Sequence, residues 1–159
     1  MHYIFDLDHT VIDSSHRQLT RADGSLDLEH WIDNCTREKI FADSLLPLAS
    51  RMRGAIAAGN SVIICTARVM GADDYDFLAA NGLAAPVILS RPLGDRTSDH
   101  LLKERLLREH CESVGQSFAR FCSTAIIWDD NQKVLAHLKS LDIRTVCAIR
   151  TNKLLTAAA

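Results

Sequence analysis

The sequence of 159 residues lacks several features that define large classes of protein. It has no apolar run close to the roughly 18 residues that a transmembrane helix requires. It also shows no internal repeat and no low-complexity tract. The first residues contain no basic region and reach an acid at Asp6, so no signal peptide is predicted. These absences favour a globular protein without a membrane-spanning segment.

Cysteine pairs of the kind that build disulfide frameworks or zinc sites are also missing. The chain has five cysteines, an odd number, and none lies in a C-x-x-C pair. Several lie within or beside apolar runs, as small core residues do. We therefore expect neither disulfides nor a zinc site, and we predict a reducing, cytoplasmic environment.

The chain has no excess of positive charge. Its 18 Lys and Arg residues are outnumbered by 20 Asp and Glu residues, which gives a net charge of −2. Proteins that coat nucleic acid grip its phosphates through cationic charge. The balance therefore disfavours that class, although a local basic pocket for one phosphorylated end is compatible with it. We expect no membrane partner and no stable protein partner.

Short apolar runs are what the chain does contain. They do not alternate strictly between apolar and polar residues, which is typical of strands buried on both faces of a parallel sheet. The sequence predicts five such strands, at residues 2–5, 61–65, 86–89, 124–128 and 144–149.

Stretches with helical spacing separate these runs. Strand and helix alternate along the chain, which predicts an α/β, three-layer Rossmann-like fold with a mostly parallel central sheet of about five strands. One domain is expected over residues 1–153, followed by a tail at 154–159. The predicted helices lie at residues 44–58, 72–81, 99–112 and 131–140.

Residues 11–43 interrupt the alternation. This segment is polar, contains a turn at Asp23-Gly24 and has one predicted helix, from Asp27 to Glu38. Because it follows the first strand directly, we predict a small flap over the end of that strand. No room remains for a large cap domain, so the site beneath the flap should be fairly open.

Charged and hydroxyl side chains follow three of the strands. Ligands of open α/β sheets bind beyond the carboxyl ends of the strands, so these side chains should meet at one edge. A helix before the fourth strand adds Asp99 and Lys103 on one face. The candidate residues at the strand ends are Asp6, Asp8 and Thr10, then Thr66 and Arg68, then Asp129 and Asp130.

Each of these residue types has a role if the ligand is a phosphate ester. One carboxylate can attack phosphorus and form an aspartyl-phosphate. A second can protonate the leaving alcohol and then activate water. Crowded acids repel one another and the phosphate, so a hard divalent cation such as Mg²⁺ is needed. Hydroxyl and ammonium groups can hold the phosphoryl oxygens.

In their order and placement, these residues resemble the four motifs of the haloacid dehalogenase superfamily. The match begins with Asp6-Leu7-Asp8-His9-Thr10 after the first strand and covers nearly the whole chain. One departure is His9, where many members have Gly. The later motifs are matched by Thr66, by Lys103 and by the pair Asp129-Asp130.

The resemblance implies a role for each matched residue. Asp6 would be the nucleophile and Asp8 the general acid and base. Thr66 and Lys103 would bind the phosphate. Mg²⁺ would be held by the Asp6 carboxylate, the Asp8 backbone carbonyl and one acid of the pair Asp129 and Asp130, which the sequence does not distinguish. Thr10 and Asp99 would support the site.

A narrower resemblance is to the phosphatase half of phage polynucleotide kinase-phosphatases. It lies in residues 94–104, and Arg17 and Arg68 fall where that subfamily has similar residues. The resemblance implies that both arginines bind substrate. The chain has no G-x-x-x-x-G-K-[ST] loop, so the kinase half is absent.

The sequence thus predicts a Mg²⁺-dependent phosphomonoesterase that removes a 3′-phosphate from nucleic-acid ends. A nucleotidase acting on free (deoxy)nucleotides is the alternative, followed by a hydrolase of another small phosphate ester. A different class of function is a catalytically silent, phosphate-binding protein with the same fold. The presence of every core motif residue disfavours that last reading.

Overall fold

A computed structural model describes residues 1–158 of the chain, and Ala159 lies outside the described residues. Its main sheet has five parallel strands in the order β5-β4-β1-β6-β7, which confirms the predicted fold class. β2 and β3 form a separate two-stranded antiparallel pair. The strands are β1 (His2–Phe5), β2 (Ile12–Asp13), β3 (Ser44–Leu45), β4 (Ser61–Thr66), β5 (Val87–Ser90), β6 (Ala125–Asp129) and β7 (Arg144–Cys147).

The helices cover the two faces of this sheet. Three of the four predicted helices are present with ends shifted by at most one residue, whereas the first begins later than predicted. That difference arises because Ser44–Leu45 pair with Ile12–Asp13 as strands before the helix starts. The helices are α1 (Leu28–Asp33), α2 (Arg37–Phe41), α3 (Leu48–Ala57), α4 (Ala72–Ala80), α5 (Asp99–Ser113), α6 (Phe118–Thr124), α7 (Gln132–Lys139) and α8 (Ala148–Ala157).

The inserted segment after β1 contains two short helices where one was predicted. Asp27 caps α1 by accepting a hydrogen bond from His30 N at 3.1 Å. Thr36 caps α2 through a 3.4 Å hydrogen bond from Lys39 N. A second N-cap within the predicted helix starts a new helix, so the segment bends between Asp33 and Arg37.

The C-terminal part also differs from the sequence prediction. The last predicted strand, β7, ends at Cys147. Ala148 and Ile149, which were also predicted as strand, begin α8. Residues 154–157, predicted as a tail, continue that helix, and Leu155 packs against the core. A short apolar run does not distinguish a strand from a buried helix by periodicity alone.

Alternate residues of the central strand face opposite layers of the core. Phe5 packs with α3 and α4 residues such as Met52 and Phe77 on one side of the sheet. Ile4 packs on the other side with residues of α5 and α6 such as Leu102 and Phe121. This two-sided burial fixes the strand register and leaves the carboxyl ends of the strands free to carry polar groups. Within residues 1–158, no helix is both long enough and apolar enough to cross a bilayer.

Candidate active site

The backbone fixes Asp6 at the carboxyl end of the central strand. Asp6 N donates a 3.0 Å hydrogen bond to Trp128 O of β6, which keeps the two strands together beyond the end of β1. The chain then turns sharply, because Leu7 O accepts hydrogen bonds from three following amides. His9 adopts a left-handed φ of 56° within this turn. The turn places the Asp6 and Asp8 side chains at the mouth of the sheet.

Lys103 lies among three carboxylates at this edge. Its Nζ is 2.8 Å from Asp6 Oδ1 and 2.6 Å from Asp129 Oδ2. One oxygen from each of Asp6, Asp129 and Asp130 lies within 4.8 Å of the others. We call these four residues the lysine cluster. The structure thus brings together the candidates that follow β1 and β6 with the one on α5.

The lysine cluster carries more negative charge than its single cation balances. Burial, together with the nearby Asp129 charge, raises the pKa of Asp6 to about 7 despite the attraction of Lys103. Burial also raises the pKa values of Asp129 and Asp130 above their usual range. The pKa of Lys103 is raised as well, because its two carboxylate partners outweigh its burial. A set of close carboxylates short of positive charge fits a hard divalent cation.

Asp8 belongs to a different set of charges. Arg68 grips its carboxylate with Nη2 at 2.5 Å from Oδ1 and Nε at 3.1 Å from Oδ2. Ser14 Oγ donates a further hydrogen bond to Oδ1 at 2.5 Å. Burial opposes ionisation here, but Arg68 and Ser14 together outweigh it and lower the pKa of Asp8.

Arg68 connects Asp8 to two more buried acids. Its Nη1 donates to Asp74 Oδ1 of α4 at 2.7 Å, and its Nη2 lies 3.8 Å from Asp43 Oδ2. Asp43 is also the partner of Arg17. We call these five residues the arginine cluster. Arg68 was predicted to bind substrate, and the structure surrounds its guanidinium with carboxylates instead of leaving it free.

The structure pairs Arg17, a predicted substrate ligand, with a buried acid of the flap. Its Nε and Nη2 each donate to Asp43 at 2.9 Å, and its side chain is 0% exposed. Nη1 contacts Cys35 Sγ at 3.3 Å, and the Trp31 ring lies 4.1 Å from the guanidinium carbon. Each nitrogen of the guanidinium therefore already has a protein partner. Arg17 therefore joins the two ends of the flap through Asp43 and has no free face for a phosphate.

Asp99, predicted to support the site, lies beside it at the start of α5. It is the first residue of α5, after the N-cap Ser98, and its carboxylate pairs with Arg91 Nη2 at 2.7 Å instead of with Lys103. Arg91 Nε also donates to Ala67 O at 2.8 Å. Asp99 therefore joins the start of α5 to the loop after β4 and has no direct place among the carboxylates.

The two candidate threonines are buried. Thr66 ends β4, and its Oγ1 accepts a 3.1 Å hydrogen bond from Arg68 N. Thr10 Oγ1 is buried without a hydrogen-bond partner within the described chain. Thr10 O accepts from Asn152 Nδ2 of α8 at 2.9 Å, which anchors the turn after β1.

Sequence reasoning missed four residues that support the site. Asp74 sits in the first turn of α4, where an acid is expected as a cap, and that local role hides its contact with Arg68. The other three depend on contacts between separate segments and carry no local signal that could have found them. The four are Ser14, Asp43, Asp74 and Asn152.

Comparisons with solved structures agree with the fold. A haloacid dehalogenase-like hydrolase from Streptococcus pneumoniae superposes with a TM-score of 0.63 at 13% identity, over 95% of this chain and 90% of that one. A chain of the Pnkp1/Rnl/Hen1 RNA repair complex gives 0.61 at 20% identity, over 92% of this chain and 41% of that one. At these identities the likeness concerns the fold alone.

Sequence comparisons identify the family. The 5′-deoxynucleotidase of Escherichia phage T5 is 43% identical over 84 residues, which span 50% of this chain and 34% of the T5 protein. The family model for bacteriophage T5 5′-deoxynucleotidase matches residues 1–159, the whole chain. The chain therefore belongs to the bacteriophage T5 5′-deoxynucleotidase family and has the haloacid dehalogenase fold.

Proposed function

We propose that the protein is a Mg²⁺-dependent phosphomonoesterase that removes the 5′-phosphate from deoxynucleoside monophosphates through an aspartyl-phosphate. The observation that carries the phosphatase assignment is the lysine cluster, in which a buried ammonium touches two of three close carboxylates at the carboxyl edge of the sheet. The family match supplies the class of substrate.

Asp6 is the proposed nucleophile. One carboxylate oxygen attacks phosphorus while the bond between phosphorus and the 5′ oxygen breaks, and the departing oxygen takes a proton from Asp8. Asp8 then removes a proton from water, which attacks the phosphorus of the aspartyl-phosphate. Inorganic phosphate leaves and the Asp6 carboxylate is restored. Lys103 and Thr66 donate hydrogen bonds to the phosphoryl oxygens.

The carboxylates of the lysine cluster fit the proposed metal. Asp129 already has both oxygens engaged, one by Lys103 Nζ and one by Asn131 N at 2.9 Å. Asp130 is half-buried at the mouth, so we assign it, with the Asp6 carboxylate and the Asp8 backbone carbonyl, as a Mg²⁺ ligand. When bound, Mg²⁺ offsets the charge of the acids and polarises the phosphoryl oxygens.

The Arg68 contact has a consequence for Asp8. A carboxylate held by a guanidinium is ionised, which suits the water step but not the donation of a proton to the leaving group. A phosphate dianion at Asp6 would compete with the carboxylates around Arg68 for its guanidinium, to which it can bind in bidentate geometry. We infer that substrate draws Arg68 partly away from Asp8, and that Asp8 then takes up the proton it donates.

The choice of mononucleotide over polynucleotide rests on the family. The family takes its description from the 5′-deoxynucleotidase of bacteriophage T5. Its alignment to this chain covers about a third of its length, so its activity comes to this chain as a proposal. Removal of a 3′-phosphate from nucleic-acid ends stays a prediction from the sequence resemblance.

One panel of substrates tests the proposal. Phosphate release with Mg²⁺ is measured from deoxynucleoside 5′-monophosphates, ribonucleoside 5′-monophosphates, a 3′-phosphorylated oligonucleotide and a hexose phosphate. We expect the highest kcat/KM for the deoxynucleoside 5′-monophosphates. The Asp6→Asn protein serves as the control for contaminating phosphatase. Preference for the oligonucleotide would restore the first sequence prediction, and release from none of them would support the catalytically silent alternative.

A further inference from the structure

An open cleft lies on the side of the site that faces α8. Its volume is about 390 Å³, within the range of roughly 300–1,000 Å³ typical of small-molecule pockets. One wall is formed by the turn after β1 and by β2, including His9 and Asp13. The opposite wall is the first half of α8, including Ile149 and Lys153.

The cleft leads directly to the proposed reaction centre. Asp130 belongs both to its lining and to the lysine cluster. The opposite side is filled, because Arg68 is 5% exposed and the Trp31 ring lies 5.5 Å from its guanidinium carbon. A substrate whose phosphate lies at Asp6 therefore has room for its remaining atoms toward α8.

The walls of the cleft are held in place. Asn152 of α8 is buried and donates to Thr10 O at 2.9 Å, while its Oδ1 accepts from Leu48 N of α3 at 2.8 Å. His9 Nε2 forms a 2.9 Å hydrogen bond with Gln18 Oε1. Both walls are thus tied to the same turn that carries Asp6 and Asp8, so the distance from the cleft to the reaction centre is set by the fold.

The chemistry of the lining fits a neutral, flat ligand with polar edges. Ile149 is 45% exposed and offers an apolar surface on which a base can pack. Lys153 is exposed and can donate to a base carbonyl or a sugar hydroxyl. Asp13 in the opposite wall would repel a second phosphate group. These features favour one nucleoside and disfavour a continuing polynucleotide chain.

We propose that this cleft binds the nucleoside of a mononucleotide, with its base against Ile149 and Lys153 at its polar edge, an inference that rests on the proposed function. The cleft makes α8 a determinant of substrate choice. The phosphate contacts come from the sheet edge and are the same for every phosphate ester.

Two double variants on α8 make a matched test. Ile149→Asn with Lys153→Ala removes the apolar surface and the cation from the cleft. Leu154→Asn with Arg150→Ala makes the same chemical changes on exposed positions of the helix outside the cleft lining. Binding of thymidine 5′-monophosphate is measured by calorimetry with Mg²⁺ in the Asp6→Asn protein. We expect the cleft variant to bind at least tenfold more weakly and the control variant to bind within twofold of its parent.

Hydrolysis of acetyl phosphate, which has no ring, completes the test. With Asp6 present, the cleft variant should keep the parent kcat/KM for acetyl phosphate and lose at least tenfold in kcat/KM for thymidine 5′-monophosphate. Equal nucleotide binding by the cleft and control variants would overturn the proposal, as would parallel loss on both substrates. A parent protein that hydrolyses neither substrate would refute the proposed function, whereas the binding comparison would still decide the cleft.

Discussion

The lysine cluster and the arginine cluster each contain three carboxylates, and they differ in the cations beside them. Lys103 alone faces three acids in the lysine cluster. In the arginine cluster, two guanidinium groups are interleaved with the three acids, so every carboxylate touches a positive charge. The two clusters meet where Asp6 and Asp8 leave the central strand, yet the pKa of Asp6 is raised and the pKa of Asp8 is lowered.

The pKa values follow this difference in charge. Burial raises the pKa of each acid in the lysine cluster, because one ammonium does not offset three desolvated carboxylates. The pKa of Asp8 in the arginine cluster is lowered, because Arg68 and Ser14 outweigh its burial. In the proposed function, the uncompensated cluster is the one that binds the metal and the phosphate. The compensated cluster orders the flap and holds Asp8 in position.

Removing the charge of Asp6 tests the lysine cluster most directly. Asp6→Asn should lower kcat by at least about a thousandfold, because an amide is a poor nucleophile and gives the metal no anion. The protein should remain folded, since a neutral side chain suits this buried position better than a carboxylate does. Steady-state phosphate release and thermal unfolding measure the two effects. Activity above a tenth of the wild-type value would refute the covalent mechanism.

Asp8→Asn tests the member of the arginine cluster that has a chemical role. Loss of a general acid and base costs roughly 10²–10⁴ in rate. The loss should be greater for an alkyl phosphate than for p-nitrophenyl phosphate, whose leaving group departs without a proton. The ratio of kcat/KM values on the two esters is the measurement. Equal losses on both would show that Asp8 is not the acid.

Removing one charge of the buried pair between Arg17 and Asp43 tests whether the balance of charges stabilises the arginine cluster. Asp43→Asn leaves the fully buried Arg17 without its anion, and we expect the free energy of unfolding to fall by about 3–5 kcal/mol. Asp73→Asn is the control, because its pair with Arg37 is exposed and should contribute less than about 1 kcal/mol. Urea unfolding of both variants gives the comparison.

A double replacement sharpens the same test. Arg17→Met with Asp43→Leu removes both buried charges at once, so most of the lost stability should return. A double variant as unstable as Asp43→Asn would mean that the flap needs the ion pair itself and not the absence of unpaired charge.

The metal assignment predicts a smaller and more selective effect. Asp130→Asn should raise the Mg²⁺ concentration for half-maximal activity by about tenfold, because it removes one of few anionic ligands. Asp129→Asn should instead lower kcat at saturating Mg²⁺, since Asp129 orients Lys103 at 2.6 Å. Mg²⁺ titrations of the two variants separate these roles. The reverse pattern would exchange the two residues.

The lysine cluster could be predicted from sequence, because its residues follow strands or lie on a helix with clear periodicity. Parallel strands end at a fixed edge of the sheet, so Asp6 and Asp129 are predicted to lie together without knowledge of any side-chain contact. The alternation of strands and helices predicts the three layers of the fold. These features depend on the local pattern of apolar residues and on the parallel topology of the sheet.

The arginine cluster could not be predicted, because it depends on pairing across the chain. Arg17 and Asp43 lie 26 positions apart in the flap, and neither lies in a periodic segment. The short pair of Ile12–Asp13 with Ser44–Leu45 brings the two ends of that flap together. The family resemblance implies that Arg17 binds substrate, and only the tertiary structure shows that Asp43 pairs with its guanidinium.

The smallest expected effect is on the pH dependence of stability, in which the lysine cluster should differ from the arginine cluster. Without Mg²⁺, the pKa of Asp6 in the folded chain is about 7, against 3.8 for an unperturbed aspartate carboxyl. The folded chain therefore binds this proton more tightly than the unfolded chain does, so the contribution of Asp6 to stability falls as pH rises from about 4 to about 7.

Mg²⁺ must displace that proton, so it should stabilise the protein more at pH 7.5 than at pH 5.5. We expect the Mg²⁺-induced rise in Tm to be larger at pH 7.5 by about 2–4 °C, corresponding to roughly 1 kcal/mol for a chain of this size. Asp6→Asn should reduce the difference between the two pH values, whereas Asp73→Asn should keep it. An equal Mg²⁺ shift at both values in the wild-type protein would mean that the lysine cluster does not hold the excess negative charge that separates it from the arginine cluster.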